Sequence, residues 1–326
     1  MPNLSGSQAY VACVPHVPAL SMLAREQNVQ FWAAYDARRQ EFRAFAPELI
    51  IAFGTDHYSN VHLQLAPTFL IGHAAKAIND CGGVPGRLNV PMDLSEALAT
   101  ALVEREFDMA LSYDMSVDHG FSNALGFFTE GQTDSIPVIP LHINCLNSPR
   151  PTMRRVRRFG QAVGEWAAQL GKRVAFIGSG GLSHETGGVF PQYHAAPTDD
   201  FRDYIVHGGD EARKQVWHDN ITVMMENFCA RMESDPAGPT SVQPDWDTEF
   251  LNVLASGNLE TLDSWTDADM VKRGGAGASE SRMWLAAMAA GQAAGADHRG
   301  VDYYSPSTTL GVGAGVAHAT QGEARL

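Results

Sequence analysis

The sequence predicts an α/β fold: a single layered domain with a central mixed sheet, helices on its faces, and an active site beyond the strand C-terminal ends. Three observations predict it. Apolar runs and helical stretches alternate along the chain, as in layered α/β domains. Four of those runs, Val11–His16 (VACVPH), Leu49–His57 (LIIAFGTDH), Met109–His119 (MALSYDMSVDH) and Val174–His184 (VAFIGSGGLSH), give way to Pro, Gly, Asp or Ser and then to a histidine. A continuous apolar run between turn residues reads as a strand buried on both faces, and ligands of open α/β sheets bind beyond the carboxyl ends of such strands. No repeat or low-complexity linker divides the chain, so residues 1–326 are expected to form one domain.

Ser21–Phe45 follows the first strand as a helix, with few breakers and with Leu23, Phe31, Trp32 and Tyr35 recurring at helical spacing. Pro47 ends that helix, and Leu49–Gly54 is the second strand. Phe69–Gly72, preceded by the breaker Pro67, reads as a short strand, and Asn79–Gly86 (NDCGGVPG) as a loop. Asp93, with Glu96 three residues on, resembles a capping box opening a helix through Glu106. Strands are expected at Met109–Tyr113, Ile136–Ile143 and Val174–Ile177, with a helix over Met153–Leu170. Residues 187–245 have a looser pattern, with a breaker-rich loop at Pro236–Pro244, and are expected to supply helices and a variable cover. Trp246–Leu254 and Ser281–Ala294 are helical, and Gly274–Gly277 (GGAG) precedes the second. The Gly- and Ala-rich tail from Ser305 reads as a subunit contact or a loosely held end.

Composition narrows the function. With 44% hydrophobic and 18% charged residues, the chain can build a sizeable core. Its net charge of −14 disfavours nucleic acid as a partner. The one basic run, Met153–Phe159 (MRRVRRF), reads as a solvated helix face rather than an anion site. Cys13, Cys81, Cys145 and Cys229 are widely spaced with no CxxC pair, which argues against a zinc ribbon or disulfide framework and fits a reducing cytoplasm. The first ten residues lack the features of a signal peptide. No apolar run approaches the ~20 residues of a membrane span.

A single buried histidine is usually structural, but four that share a place after strands point to a metal-ligating and proton-carrying group. His142 lies inside its strand and is expected to be a buried, hydrogen-bonded core residue. The histidines at 62, 73, 194, 207, 218, 298 and 318 share no context and read as surface or supporting residues.

Several separated motifs occur in one order: PHVPAL (Pro15–Leu20), TDHY (Thr55–Tyr58), PTFLIG (Pro67–Gly72), VDHGF (Val117–Phe121), GSGGLSH (Gly178–His184), WDTEF (Trp246–Phe250) and GASESRMWL (Gly277–Leu285). Together they resemble the class III extradiol ring-cleaving dioxygenases, most closely the 2,3-dihydroxyphenylpropionate 1,2-dioxygenase branch. The resemblance is strong from about residue 10 to residue 186, weakens from Gly187 to Asp245, and then returns. It implies Fe(II) held by His16, His57 and Glu280, two histidines and one carboxylate that leave open positions for substrate and oxygen. On physics alone Glu280 reads as a helix-start acid favoured by the macrodipole. Asp247 and Glu249 are the fallback carboxylates. His119 and His184 match the acid–base pair, with His184 preferred as base and His119 as acid. The reaction implied is extradiol (meta) cleavage by O2 of a small aromatic diol, a 3-substituted catechol such as 2,3-dihydroxyphenylpropionate. Its product is a muconic semialdehyde acid, formed in aromatic catabolism by a cytoplasmic homo-oligomer.

Asp56 and Asp118, each preceding a histidine, read equally as imidazole-orienting groups or solvated turn acids. The GSGGL loop lacks the lysine and spacing of a phosphate loop, and its glycines are expected to let backbone approach the substrate beneath His184. Tyr58, Phe121, Phe127 and Phe128 are expected near an apolar pocket. Two rival readings use the same residues: a zinc-dependent α/β hydrolase holding its metal with His16, His57 and Glu280, and a non-catalytic partner subunit. Retention of all five matched residues argues against the second. Manganese in place of iron is left open by the ligand set.

Overall fold

The computed structural model describes residues 8–18, 25–186, 189–234, 241–307 and 311–321. Along the chain run β1 (Gln8–Val14), α1 (Val29–Phe45), β2 (Leu49–Gly54), β3 (Phe69–Gly72), β4 (Ala75–Ala77), β5 (Gly86–Arg87), α2 (Met92–Glu104), β6 (Met109–Ser112), β7 (Met115–Val117), α3 (His119–Phe128) and β8 (Val138–Ile143). Then follow α4 (Met153–Ala167), β9 (Arg173–Ser179), α5 (Asp199–His207), α6 (Glu211–Ser234), α7 (Pro244–Ser256), α8 (Asp267–Gly274), α9 (Ser281–Ala293), β10 (His298–Ser307) and β11 (Val312–Thr320).

Eight strands form one mixed sheet in the order β10-β11-β1-β9-β2-β8-β3-β6, and β5-β4-β7 form a small second sheet. The central strands β1, β9, β2 and β8 are parallel. Both faces of these strands are covered, which is why they appear in the sequence as unbroken apolar runs rather than alternations. The two-residue period of the strands divides the core in two. Val11, Ile51 and Phe176 pack with Phe159 of α4 and Leu285 of α9 on one face. Tyr10, Ile50 and Ile177 pack with Phe31 of α1 and Phe121 of α3 on the other.

α4 and α9 touch backbone to backbone. A Cβ on Gly160 would lie 2.2 Å from the Ala286 carbonyl oxygen, and one on Gly164 would lie 2.1 Å from that of Ala290. The basic run on α4 is a solvated face whose charges meet carboxylates: Arg154 and Arg157 pair with Asp263, and Arg155 with Asp108. The Arg157–Asp263 pair is bidentate, with Nε–Oδ1 at 2.8 Å and Nη2–Oδ2 at 2.7 Å. Its hydrogen bonds hold the Asp263 carboxyl below the ordinary carboxylate range, although desolvation opposes this. The stability it contributes is present above the unfolded carboxyl pKa of ~3.9 and is lost as pH falls through the depressed folded value. Arg157→Ala is therefore expected to cost about 1 kcal/mol at neutral pH and nearly nothing once Asp263 is protonated. Urea unfolding of both proteins at neutral and acidic pH checks this.

Several boundaries differ from expectation. α1 starts at Val29 after a 3-10 turn at Arg25–Asn28, and residues 21–24 of the predicted helix lie outside the described residues. α2 has Pro91 at its N-cap and no side-chain cap, so Asp93 falls in the first turn and the expected capping box is not formed. Glu96 instead accepts a hydrogen bond from Tyr113 Oη at 3.1 Å. The small-residue tail is not a loose end over Val312–Thr320. It is β11, buried between β10 and β1. Gly315 lets it close on Trp284, whose ring a Cβ there would meet at 3.1 Å. Residues 308–310 and 322–326 of that tail, and 236–240 of the predicted loop, lie outside the described residues. Among the described residues no helix is long and apolar enough to cross a membrane.

Candidate active site

Parallel neighbours β1, β9 and β2 end at one sheet edge, and a histidine follows each: His16, His184 and His57. His119 arrives by another route. β3 is antiparallel to β8 and β6 is parallel to β3, so the carboxyl end of β6 points away from that edge. The small sheet corrects the direction: β7 leads to Asp118, the N-cap of α3, and His119 is the first residue of that helix. Gly120 permits the approach, since a Cβ there would lie 2.4 Å from the Thr55 carbonyl oxygen.

Glu280 closes the group from the far side, at the end of a 3-10 turn (Ala276–Glu280) and the start of α9. His16 Nε2 lies 3.1 Å from Glu280 Oε2, and His57 Nε2 and His184 Nε2 lie 3.5 and 3.7 Å from Oε1. The His57 and His119 rings stack with centroids 4.2 Å apart. All five residues are buried. The glycines of GSGGL serve Glu280 and His184. Gly181 donates its N–H to Glu280 Oε2 at 2.7 Å, and a Cβ on Gly180 or Gly181 would strike the Glu280 carbonyl oxygen or the His184 ring. The close backbone approach seen here is therefore to Glu280 and His184.

The fallback carboxylates lie outside the group. Asp247 accepts from Ser183 N–H, Ser183 O–H and Tyr304 O–H, each at 2.7 Å, and so fixes the residue before His184. Glu249 is exposed and pairs with Arg273.

The aspartates are buried and are not solvated turn acids. Asp118 braces His57 rather than the histidine it precedes: its Oδ2 accepts from the His57 N–H at 2.6 Å and lies 3.2 Å from Nδ1. His119 Nδ1 is 2.5 Å from Asp80 Oδ2. Asp80 was invisible to sequence reasoning, which had only an acid in a Gly-rich loop. Asp56 accepts from the N–H groups of Ser59, Asn60 and Val61.

Burial alone would raise the Glu280 carboxyl, but His16 and His184 hold it well below the ordinary range. For His57 burial opposes charge, and the Asp118 and Glu280 carboxylates outweigh it, lifting the ring to about 10. Burial dominates at His16 and lowers it, with Glu280 offsetting part of the effect. A buried carboxylate kept ionised among imidazole nitrogens, with outer nitrogens tied to carboxylates and a hydroxyl (His16 Nδ1 to Ser179 Oγ, 3.2 Å), fits a two-histidine, one-carboxylate metal site. A nitrogen of His119 also lies within 4.8 Å of those of His16 and His57, so a three-histidine set is geometrically available.

A cavity of about 190 Å³ opens over the group. The five residues form its polar floor, and Val189, Phe190 and the α6 side chains Ile221, Met224, Met225 and Phe228 form an apolar wall. Tyr58, Phe121, Phe127 and Phe128 do not line it. Phe121 packs on Gly54, Phe127 stacks on Tyr35, Phe128 meets Phe42, and Tyr58 donates its O–H to Asn147 Oδ1. The sequence signal for the true wall was the stripe Trp217, Ile221, Met224–Met225 and Phe228, at helical spacing in an otherwise polar segment. His142 is buried as expected, but its Nδ1 has no hydrogen-bond partner among the described residues. Burial lowers its pKa to about 4, so the ring it keeps there is neutral. Of the two readings of His73, surface or supporting, burial excludes the first: it is buried, with Nδ1 2.7 Å from Ser95 Oγ.

Over residues 10–317 the sequence matches the family described as the catalytic LigB subunit of aromatic ring-opening dioxygenase. A 2,3-dihydroxyphenylpropionate/2,3-dihydroxicinnamic acid 1,2-dioxygenase of Rhodococcus sp is 37% identical over 289 residues, covering 87% of this chain and 90% of that protein. Proteins of the same name from Paraburkholderia xenovorans (strain LB400) and Escherichia coli (strain K12 / DH10B) are 35% and 33% identical, covering 94% and 91% of this chain and 96% and 94% of theirs. Matches of this extent leave the zinc hydrolase reading without support. The chain belongs to the LigB family of aromatic ring-opening dioxygenases.

Proposed function

We propose that the protein is an Fe(II)-dependent extradiol dioxygenase that opens a catechol bearing a substituent beside the diol. The observation that carries this reading is the convergence of His16, His57, Glu280, His119 and His184 on one buried point beneath an apolar cavity. His16 and His57, through Nε2, and Glu280, through a carboxylate oxygen, would hold the metal. When bound, ferrous iron supplies a redox-active Lewis acid with open positions for the diol and O2.

The protein's own groups move the protons. His184 Nδ1 lies 2.9 Å from the Leu182 carbonyl oxygen, which can only accept. The ring proton therefore sits on Nδ1, leaving Nε2 as the basic nitrogen. This geometry supports His184 as the base toward the diol. His119 is the acid: the Asp80 carboxylate orients its ring and balances the charge of an imidazole that carries and returns a proton at Nε2. Val189, Phe190 and α6 act as the cover, keeping water from the floor. Asp80→Asn is expected to keep its metal and lower kcat by about 10–100-fold, checked by metal content and steady-state kinetics on one preparation.

Product analysis with isotopically labelled oxygen tests the reading. Two labelled atoms in a ring-opened semialdehyde acid are expected. A product opened between the two hydroxyls would refute it.

A further inference from the structure

We infer that the substituent this site accepts is uncharged and apolar, so that its substrates are alkyl- or aryl-substituted catechols rather than carboxylate-bearing ones; this rests on the ring-cleavage reading above. A diol seated on the histidine and Glu280 floor has Val189, Phe190, Ile221, Met224, Met225 and Phe228 beside it. Phe190 packs on the His57 ring with centroids 4.7 Å apart, so the apolar wall begins at the floor itself. An alkyl or aryl group gains by leaving water along such a wall, whereas a carboxylate loses its hydration and finds no cationic partner among the described lining residues above the floor, where Thr186 supplies the one side-chain hydroxyl. The adjacent methionines, unbranched and deformable, suit substituents of differing length.

The charges at the rim point the same way. Among the described lining residues there is no lysine or arginine, and the one charged side chain besides the floor is Glu185, which repels an anion. Residues 19–24, 187–188 and 308–310, which adjoin lining residues in the sequence, contain no lysine or arginine. The guanidinium of Arg150 is committed elsewhere. Arg150 lines a second cavity that shares Phe190 with the first, and its donors go to the Cys145 and Leu146 carbonyl oxygens and to Asp267. Arg231, exposed, lies over the ring of the wall residue Phe228 with Cζ 5.4 Å from its centroid, but it does not line the cavity.

The test compares 3-propylcatechol with 2,3-dihydroxyphenylpropionate, nearly isosteric and differing in charge, on one ferrous-loaded preparation. It reads kcat/KM and also Kd by anaerobic titration. At least about a tenfold preference for 3-propylcatechol is expected in both. Met224→Arg, which offers a carboxylate a partner, is expected to narrow that ratio, and a ratio within one preparation is insensitive to any misfolded fraction. Equal or better use of the propionate by the unaltered protein overturns the inference while ring cleavage stands. So does an unchanged ratio in Met224→Arg. Cleavage of neither compound overturns the ring-cleavage reading, and this inference falls with it.

Discussion

Glu280→Ala is expected to empty the site of ferrous iron, weakening metal affinity by at least about 100-fold and reducing ring cleavage to background. In the proposed site Glu280 would supply the one ionised oxygen ligand; it is held by the Gly181 N–H and lies against the Nε2 atoms of His16 and His57. Without it two neutral imidazoles remain, which give neither charge balance nor a third donor. Because Glu280 also packs at the start of a buried helix, Glu280→Gln serves as the companion variant. It keeps the volume and removes the charge, so iron loss in both with an unchanged melting profile assigns the effect to ligation. The contrary result is specific: iron retained in Glu280→Ala but lost in His119→Ala would mean that the three histidines hold the metal.

His184→Ala is expected to retain iron and lose about 10²–10⁴-fold in kcat. Its signature is the pH profile. The base must be deprotonated to act, so the acidic limb of kcat/KM should flatten in His184→Ala and persist in His119→Ala. Iron content and pH–rate curves on the two variants decide the assignment. An acidic limb that persists in His184→Ala and flattens in His119→Ala would reverse the roles.

How much of this was legible beforehand depended on which contacts are local. His16, His57 and His184 could be read because each follows a parallel strand directly, and parallel order places strand ends at one edge. His119 reached the same point through the small sheet, a direction change that an apolar run cannot encode. Glu280 was legible through its motif alone, since a helix-start acid is common. Asp80 was illegible: its partner His119 is 39 residues away, and no periodicity links them. The aromatic residues assigned to the pocket were drawn into the core, where Phe121 and Phe128 are nearly fully buried, because area buried and not nearness to a motif decides where a phenyl ring goes. The wall came from α6, in the span where the motif resemblance is weakest. The loose-end reading of the glycine-rich tail failed because small residues serve a buried strand crossing Trp284 as well as they serve a loose end.

The most direct test of the central claim is oxygen uptake by protein loaded anaerobically with ferrous iron, with a 3-substituted catechol as substrate and the zinc- and manganese-loaded forms alongside. Uptake of one O2 per catechol, with a yellow ring-opened product in the iron form alone, is the predicted result. Turnover restored by manganese and absent with iron would contradict the metal assignment. Oxygen uptake absent with every metal would contradict the ring-cleavage function itself.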